Sequence, residues 1–138
     1  MWKYSFYLLI TVAIVFLLGS CAGRGETKAV LGQEFSLAIG QSSVIEGEEL
    51  KIKFLEVVGD SRCPRGVTCI WEGEVTCTVE ITYRESLHQV MLTEPGLTSW
   101  PPEKPFKEYK IAYHIEPYPE VGINIAEDEY RLLLKLNK

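Results

Sequence analysis

The main pattern along this chain is a strict alternation of apolar and polar residues, repeated in several short runs. The clearest run is Glu74 to Tyr83, and similar runs cover residues 35–39, 50–58, 87–93, 109–115 and 130–136, with shorter stretches at 43–45 and 121–125. Successive side chains of a strand point to opposite faces, so each run predicts a strand with one buried face. About seven or eight short strands predict an all-β fold, either a single antiparallel β-sandwich or a partly open barrel.

The last run is the ambiguous one. Leu132, Leu134 and Leu136 alternate with other residues, which favours a strand, yet residues 126–136 also have good helix propensity. A strand is the preferred interpretation, because a lone short helix has no obvious place in an all-β body.

The first twenty residues predict a secretory signal peptide. We expect it to form an N-terminal signal helix that is not part of the folded domain. Lys3 precedes an apolar run of about fifteen residues, which is short of the roughly twenty that span a bilayer. The ending Leu18-Gly19-Ser20-Cys21 resembles the lipobox of bacterial lipoproteins. The resemblance implies cleavage before Cys21 and a lipid on that cysteine, and two or more acyl chains give a stable hold on a membrane. An uncleaved N-terminal anchor is the alternative.

These features divide the chain into three parts: a lipoprotein signal peptide (1–20), a lipidated N-terminus and tether (21–30) and a β-sandwich domain (31–138). We expect the protein to be exported and lipid-anchored to the bacterial cell membrane or the outer membrane, with the domain outside the cytoplasm. Removing Lys3 with the signal leaves 13 basic and 19 acidic side chains, a net charge of −6. That balance argues against nucleic-acid binding.

A stretch near the middle, residues 59–73, connects the two halves of the predicted domain. Cys63 and Cys69 can close a small ring, and Pro64 and Gly66 suit a tight reversal within it. Trp71 is expected on the same side as Cys69, packed against it at the edge of the core. A structural staple is the preferred interpretation. A rigid recognition loop and a metal site are alternatives, although zinc sites favour a closer cysteine spacing.

The roles predicted for the cysteines agree with export of the protein from the cytoplasm. Cys21 is assigned to lipid, and disulfides persist outside the cytoplasm. Cys77 lies in the apolar face of the 74–83 run, so it is expected to be a buried, unreactive thiol.

One motif in this region carries a family resemblance. The run Asp60-Ser61-Arg62-Cys63-Pro64, followed by Cys69, Trp71 and Gly73, is similar to a motif of small uncharacterised bacterial lipoproteins and secreted β-domains. The resemblance implies a β-rich extracytoplasmic domain and a Cys63–Cys69 bridge, and it brings no activity. Cys77 departs from the family pattern.

Catalytic motifs do not occur in the sequence. His88 and His114 are single histidines on predicted strands, where an outward-facing side chain is usually solvated surface. The sequence has no nucleophile elbow, His-Glu-x-x-His motif or glycine-rich phosphate loop. We therefore expect no enzyme activity, no cofactor and no bound metal.

Three hypotheses for function remain, and all involve binding. Residues 94–105 are rich in proline and glycine and predict a long surface loop around Trp100. The leading hypothesis is a lipid-anchored interaction module for an unknown envelope protein or small ligand. The second is a protease inhibitor that presents Arg65 on the Cys63–Cys69 loop. The third is a sugar- or peptide-binding module that uses Trp100 and Tyr118.

Overall fold

The computed structural model of the protein describes residues 25–97 and 101–138. In that part of the chain, nine strands and one short 3₁₀ helix, Glu127–Glu129, form the fold. In chain order the strands are β1 (Glu26–Ala29), β2 (Glu34–Ala38), β3 (Ser42–Ile45), β4 (Leu50–Asp60), β5 (Glu74–Tyr83), β6 (Ser86–Pro95), β7 (Glu103–Phe106), β8 (Tyr109–Glu116) and β9 (Arg131–Asn137).

The strands form two sheets and no closed barrel. One sheet has the order β1-β3-β4-β5-β6 and the other has the order β2-β9-β8-β7. All of these pairs are antiparallel except β1 and β3, which are parallel. The prediction of an all-β sandwich is confirmed, and so is the choice of strand over helix for the last run, because β9 pairs with both β2 and β8.

Alternation along the strands places one face of each sheet in a shared core. Along β5 the buried positions are Val75, Cys77, Val79 and Ile81, and along β9 they are Leu132, Leu134 and Leu136. Both sets belong to one hydrophobic cluster that also contains Phe54 of β4 and Ile115 of β8. Complete burial of each such side chain stabilises the fold by about 1.5–3 kcal/mol relative to exposure.

The sandwich has two distinct ends. At one end β5 and β6 are joined by a tight turn at Arg84 and Glu85, which both have positive φ. At the other end Asp60 pairs with Val75, and Glu74 pairs with Pro95. We call the second one the disulfide end, because the segment between β4 and β5 contains both Cys63 and Cys69.

Two boundaries differ from the sequence prediction. Residues 94–105 are not one loop: β6 continues to Pro95, β7 begins at Glu103, and Glu94 is buried. Prolines fit here because β6 and β7 are edge strands, where a missing N–H donor is tolerated. The expected tether is also shorter, since Glu26–Ala29 pairs with β3; a strand of four residues is too short to show periodicity.

Several predictions fall on residues that the structure does not describe. The signal peptide, Cys21 and Trp100 all lie outside the described residues. Between residues 25 and 97 and between 101 and 138, no helix has both the length and the apolar character needed to cross a membrane.

Cys77 is buried and free of disulfide, as the sequence predicted. Burial, with a smaller contribution from the nearby Glu94 carboxylate, raises the pKa of the Cys77 thiol to about 12. The unfolded chain loses this proton near the ordinary thiol pKa while the folded chain keeps it. The stabilising contribution is therefore complete below about pH 9 and is lost as the pH rises toward about 12.

We expect the free energy of unfolding to fall by about 1.4 kcal/mol per pH unit from this thiol above about pH 9. Denaturant titrations at several alkaline pH values measure that slope. In Cys77→Val, which keeps the site apolar, the slope should decrease by that amount. An unchanged slope would assign the alkaline loss to the tyrosines whose pKa burial also raises, namely Tyr83, Tyr109, Tyr113 and Tyr130.

Candidate functional site

The stapled loop closes as the family resemblance implied. Cys63 and Cys69 form a disulfide with their Cα atoms 5.9 Å apart. Both sulfurs are used in that bond, so the alternative of a metal site on these two cysteines is wrong. The bridge holds the segment after β4 in a compact loop that projects beyond the strand ends.

Trp71 does not pack on the disulfide as predicted. Its exposed fraction is 74%, and the neighbouring Ile70 is fully exposed. The extended geometry assumed for residues 69–71 does not hold, because the chain bends at Ile70 and Trp71. Beyond Trp71 the loop backbone returns to the chain at Cys63. The carbonyl of Glu72 accepts a hydrogen bond from Cys63 N at 2.8 Å. Residues 66–71 lie outside these contacts and expose their side chains.

Arg62 fixes the base of this loop to the opposite sheet. Its Nε and Nη2 donate to the Asp60 carboxylate at 2.9 and 2.6 Å. Its Nη1 donates to the carbonyl of Ile115 at 2.8 Å, and Nη2 also donates to the carbonyl of Pro117 at 2.9 Å. Arg62 is 3% exposed, so the guanidinium is a buried connection between β4 and the end of β8.

Two guanidinium groups lie over the ring of Tyr118. The Arg62 and Arg65 side chains each stand 5.0 Å from the centre of its ring. Its hydroxyl donates to the carbonyl of Cys63 at 2.9 Å. Of the three ligand-contact residues predicted from sequence, the structure thus brings Arg65 and Tyr118 together, while Trp100 lies outside the described residues.

Backbone hydrogen bonds lock the loop to the segment that carries Tyr118. Arg65 N donates to Pro119 O at 2.9 Å, and Val121 N donates to Arg65 O at 3.1 Å. These two bonds form a parallel bridge between Arg65 and Glu120. The position of the Tyr118 ring is therefore fixed from both sides.

A groove of about 610 Å³ opens beside this ring. Its walls carry both charge signs and one aromatic ring, contributed by Arg65, His114, Glu116, Pro117, Tyr118, Glu120, Glu129 and Arg131. Concave sites with a few fixed polar groups are the usual form of a ligand site. A larger depression of about 700 Å³ is lined by Ala38, Ile39, Leu55, Glu127 and Asp128, and these described lining residues include no aromatic or basic side chain.

His114 is held by a buried carboxylate, contrary to the expectation of a freely solvated histidine. Its Nδ1 lies 2.5 Å from Glu94 Oε1, and Glu94 Oε2 accepts a hydrogen bond from Ile115 N at 2.8 Å. Glu94 is 2% exposed, whereas the His114 side chain is 40% exposed. The carboxylate accepts, so Nδ1 is the donor and Nε2 is the ring nitrogen left for the groove, 3.9 Å from Glu116 Oε1.

This arrangement can hold and orient a polar ligand. A carboxylate and imidazole pair can activate a serine, threonine or cysteine side chain that lies within reach of the imidazole. The described residues of the groove wall include no serine, threonine or cysteine. Within the described part of the chain, no three His, Cys, Asp or Glu side chains are placed to hold a metal ion.

The residues that sequence reasoning missed are Arg62, Glu94 and Glu116. A signal existed for the first: Asp60 and Arg62 are two residues apart at a strand end, so both side chains point to one side and can pair. No local signal existed for Glu94 and His114, because they lie on separate strands, β6 and β8, and meet only in the folded sandwich.

Comparison of the chain with protein families, with curated proteins and with solved structures gave no match.

Proposed function

We propose that the chain is a lipid-anchored binding domain of the bacterial cell envelope, whose ligand site is the groove beside Tyr118. The observation that carries the proposal is the fixed position of the groove's polar groups. Tyr118 is held by its hydrogen bond to the carbonyl of Cys63 and by contact with Arg62 and Arg65, and His114 is oriented by Glu94. Fixed groups lose little freedom when a ligand binds, which favours recognition.

The charges of the groove indicate a class of ligand. Arg65 and Arg131 offer guanidinium groups, while Glu116, Glu120 and Glu129 offer carboxylates. A ligand with groups of both charges, such as a peptide segment, complements this wall better than a simple anion or cation. The ring of Tyr118 adds one flat apolar surface.

Two features support an extracytoplasmic location. The Cys63–Cys69 disulfide is of the kind that persists in oxidising compartments. The ending Leu18-Gly19-Ser20-Cys21 supports a lipid on Cys21. On this proposal the domain needs no catalytic residue, no cofactor and no metal.

The protease-inhibitor alternative has less support. An inhibitor loop that mimics a substrate pairs its backbone with the edge of the protease's sheet. The backbone N–H and carbonyl of Arg65 are already hydrogen-bonded to Pro119 and Val121. The sugar- or peptide-binding hypothesis agrees with the groove through Tyr118, and the contribution of Trp100 stays a prediction.

The anchor is tested by replacing Cys21 with alanine. We expect loss of acyl-chain labelling and either release from membranes or accumulation of the uncleaved precursor. Metabolic labelling with an acyl-chain probe and fractionation measure both. Wild-type labelling of the Cys21→Ala protein would contradict the lipid assignment.

The ligand site is tested by photo-crosslinking in intact cells. A photoreactive phenylalanine analogue at Glu116, which is exposed on the groove wall, should give a discrete crosslinked product. The control places the same analogue at Leu87, which is 62% exposed at the opposite end of the sandwich. Identical products from both positions, or products from Leu87 alone, would overturn the assignment of the groove.

A further inference from the structure

The fold leaves one long strand edge of the first sheet open. β6 (Ser86–Pro95) ends that sheet, and among the described residues no strand pairs with its outer side. β6 pairs with β5 at ten consecutive positions without a bulge, so the edge is regular along its length. An open edge of this kind presents a row of N–H and C=O groups to any strand that approaches it.

The turn before β6 determines which of its backbone groups face outward. Arg84 and Glu85 both have positive φ, as in a two-residue type I′ turn, so Tyr83 and Ser86 form a hydrogen-bonded pair. Hydrogen-bonded and non-hydrogen-bonded pairs alternate along an antiparallel ladder. The even-numbered residues of β6 therefore bond to β5, while the odd-numbered residues direct their N–H and C=O groups away from it.

Two contacts from the other sheet agree with this assignment. The Lys104 ammonium donates to Met91 O at 2.9 Å, and the Tyr113 hydroxyl donates to Thr93 O at 2.7 Å. Both carbonyls belong to odd-numbered residues. The outer edge is thus partly covered from Met91 onward, whereas the backbone groups of Leu87 and Gln89 face outward with no backbone partner among the described residues.

The side chains of β6 lack the protection that an exposed edge usually carries. Natural edge strands are blunted by short length, by charged residues or by proline. The other three edge strands, β1, β2 and β7, have four or five residues and contain at least one charged residue each. Residues 86–93 contain no Asp, Glu, Lys, Arg or proline, and Leu87 and Met91 are 62% and 54% exposed.

We propose that β6 is a dimerisation edge, which pairs with β6 of a second copy of this chain and joins the two five-stranded sheets into one. The two strands run antiparallel about a two-fold axis at Gln89. Gln89 then faces Gln89 of the second copy, and Leu87 faces Met91 of the second copy. These residues are all odd-numbered, so the pairing joins the outward N–H and C=O groups of both copies.

The sequence of β6 favours a second copy over other occupants. A two-fold interface uses the same surface on both sides, so the strand must be complementary to itself. With the axis at Gln89, the exposed apolar side chains of Leu87 and Met91 meet across the interface, and no like charges face each other within residues 87–91. A highly charged peptide finds no opposite charge on this run.

Lys104 limits the strength of this pairing. Its ammonium occupies Met91 O, the acceptor that Leu87 N of the second copy needs, so the Lys104 side chain must move away when the strands pair. The paired run of residues 87–91 is also short compared with interfaces that bury about 1,200 Å² or more. We therefore expect a weak dimer that dissociates on dilution, and a severalfold larger dimer fraction in Lys104→Met.

The experiment introduces cysteines into the full chain and oxidises intact cells mildly, with the wild-type chain as the background. Facing residues of a hydrogen-bonded antiparallel pair have Cα atoms about 5.5 Å apart, which a disulfide can bridge. Gln89→Cys should therefore give a crosslinked dimer. In the matched control Leu87→Cys, the two cysteines are four positions, or about 14 Å, apart along the strands and should crosslink at least tenfold less. Leu87→Cys combined with Met91→Cys should crosslink again.

A proline tests the backbone pairing itself. Gln89→Pro removes an N–H that points away from β5, so thermal unfolding should stay close to wild type. Added to the Leu87→Cys and Met91→Cys pair, the proline should abolish the crosslink, and a crosslink that survives it would contradict strand pairing.

The other outcomes separate the alternatives. Equal crosslinking of Gln89→Cys and Leu87→Cys indicates random collision and would overturn the proposal, as would the absence of any crosslink. A crosslink from Gln89→Cys to a different protein would replace the second copy with strand addition by that partner. A self-crosslinked product from the photoreactive probe at Leu87 belongs to this pairing and not to the groove.

Discussion

Replacing Arg62 with methionine is expected to lower the free energy of unfolding by about 3–5 kcal/mol, the range for removing one member of a buried ion pair. The side chains of Arg62 and Asp60 are 1% and 10% exposed, and methionine leaves the Asp60 carboxylate without its counter-charge. It also removes the donors to Ile115 O and Pro117 O. Urea titration of the full chain measures the effect.

The matched control is Arg84→Met. Arg84 has a 66% exposed side chain, and its contacts to Glu49 and Glu108 are 3.9 Å long. Exposed pairs contribute about 0–1 kcal/mol, so this variant should unfold close to wild type. A loss at Arg62 no larger than the loss at Arg84 would mean that the buried guanidinium does not connect the two sheets.

A second comparison separates the charge from the hydrogen bonds. The pair Asp60→Asn and Arg62→Met removes both charges, and the asparagine side-chain oxygen can still accept from the Tyr130 hydroxyl that now donates to Asp60. We expect the double variant to be less destabilised than the sum of the single variants, because it leaves no isolated buried charge. Strict additivity would contradict a direct interaction between the two side chains.

The sequence predicted the sandwich because its signal is local. In β5 the alternation of Val75, Cys77, Val79 and Ile81 with polar residues records the two faces of one strand. β9 could be assigned as a strand for the same reason, although its residues also have a propensity for helix. β1 was missed, since four residues that are mostly exposed carry no periodicity.

The candidate site could be predicted only in part, because its contacts are distant in sequence. Tyr118 and Cys63 are 55 residues apart, and Glu94 and His114 are 20 apart. The sequence suggested Arg65 as a ligand contact because it lies in a constrained loop, and Tyr118 because it is an aromatic residue flanked by prolines. Nothing in the sequence indicated that the two side chains touch. Trp71 was placed wrongly because two-residue spacing indicates one face only where the chain stays extended.

Replacing Gly73 with alanine should lower the free energy of unfolding by more than about 3 kcal/mol relative to wild type, because strained backbone and steric overlap combine at this position. Gly73 has a φ of 68°, and a Cβ at this position would lie 1.8 Å from the backbone oxygen of Ser61. Ser61 N and Cys63 N donate to the carbonyls of Glu74 and Glu72, which flank Gly73. The clash therefore falls on paired backbone that positions the stapled loop, and no flexible side chain can move to relieve it.

Three other glycines separate the two causes. Gly32 has a φ of 78° and its Cβ position is 4.0 Å from the nearest atom, so alanine there should cost only the roughly 1–2 kcal/mol of left-handed backbone. Gly96 has no positive φ, but its Cβ would lie 2.1 Å from Glu72 O, which isolates the clash. Gly59 has neither problem, and alanine there should be neutral. If Gly73→Ala resembled Gly32→Ala in stability, the close approach of the chain at Ser61 would be wrong, and with it the fixed geometry that holds Arg62 and the stapled loop in place.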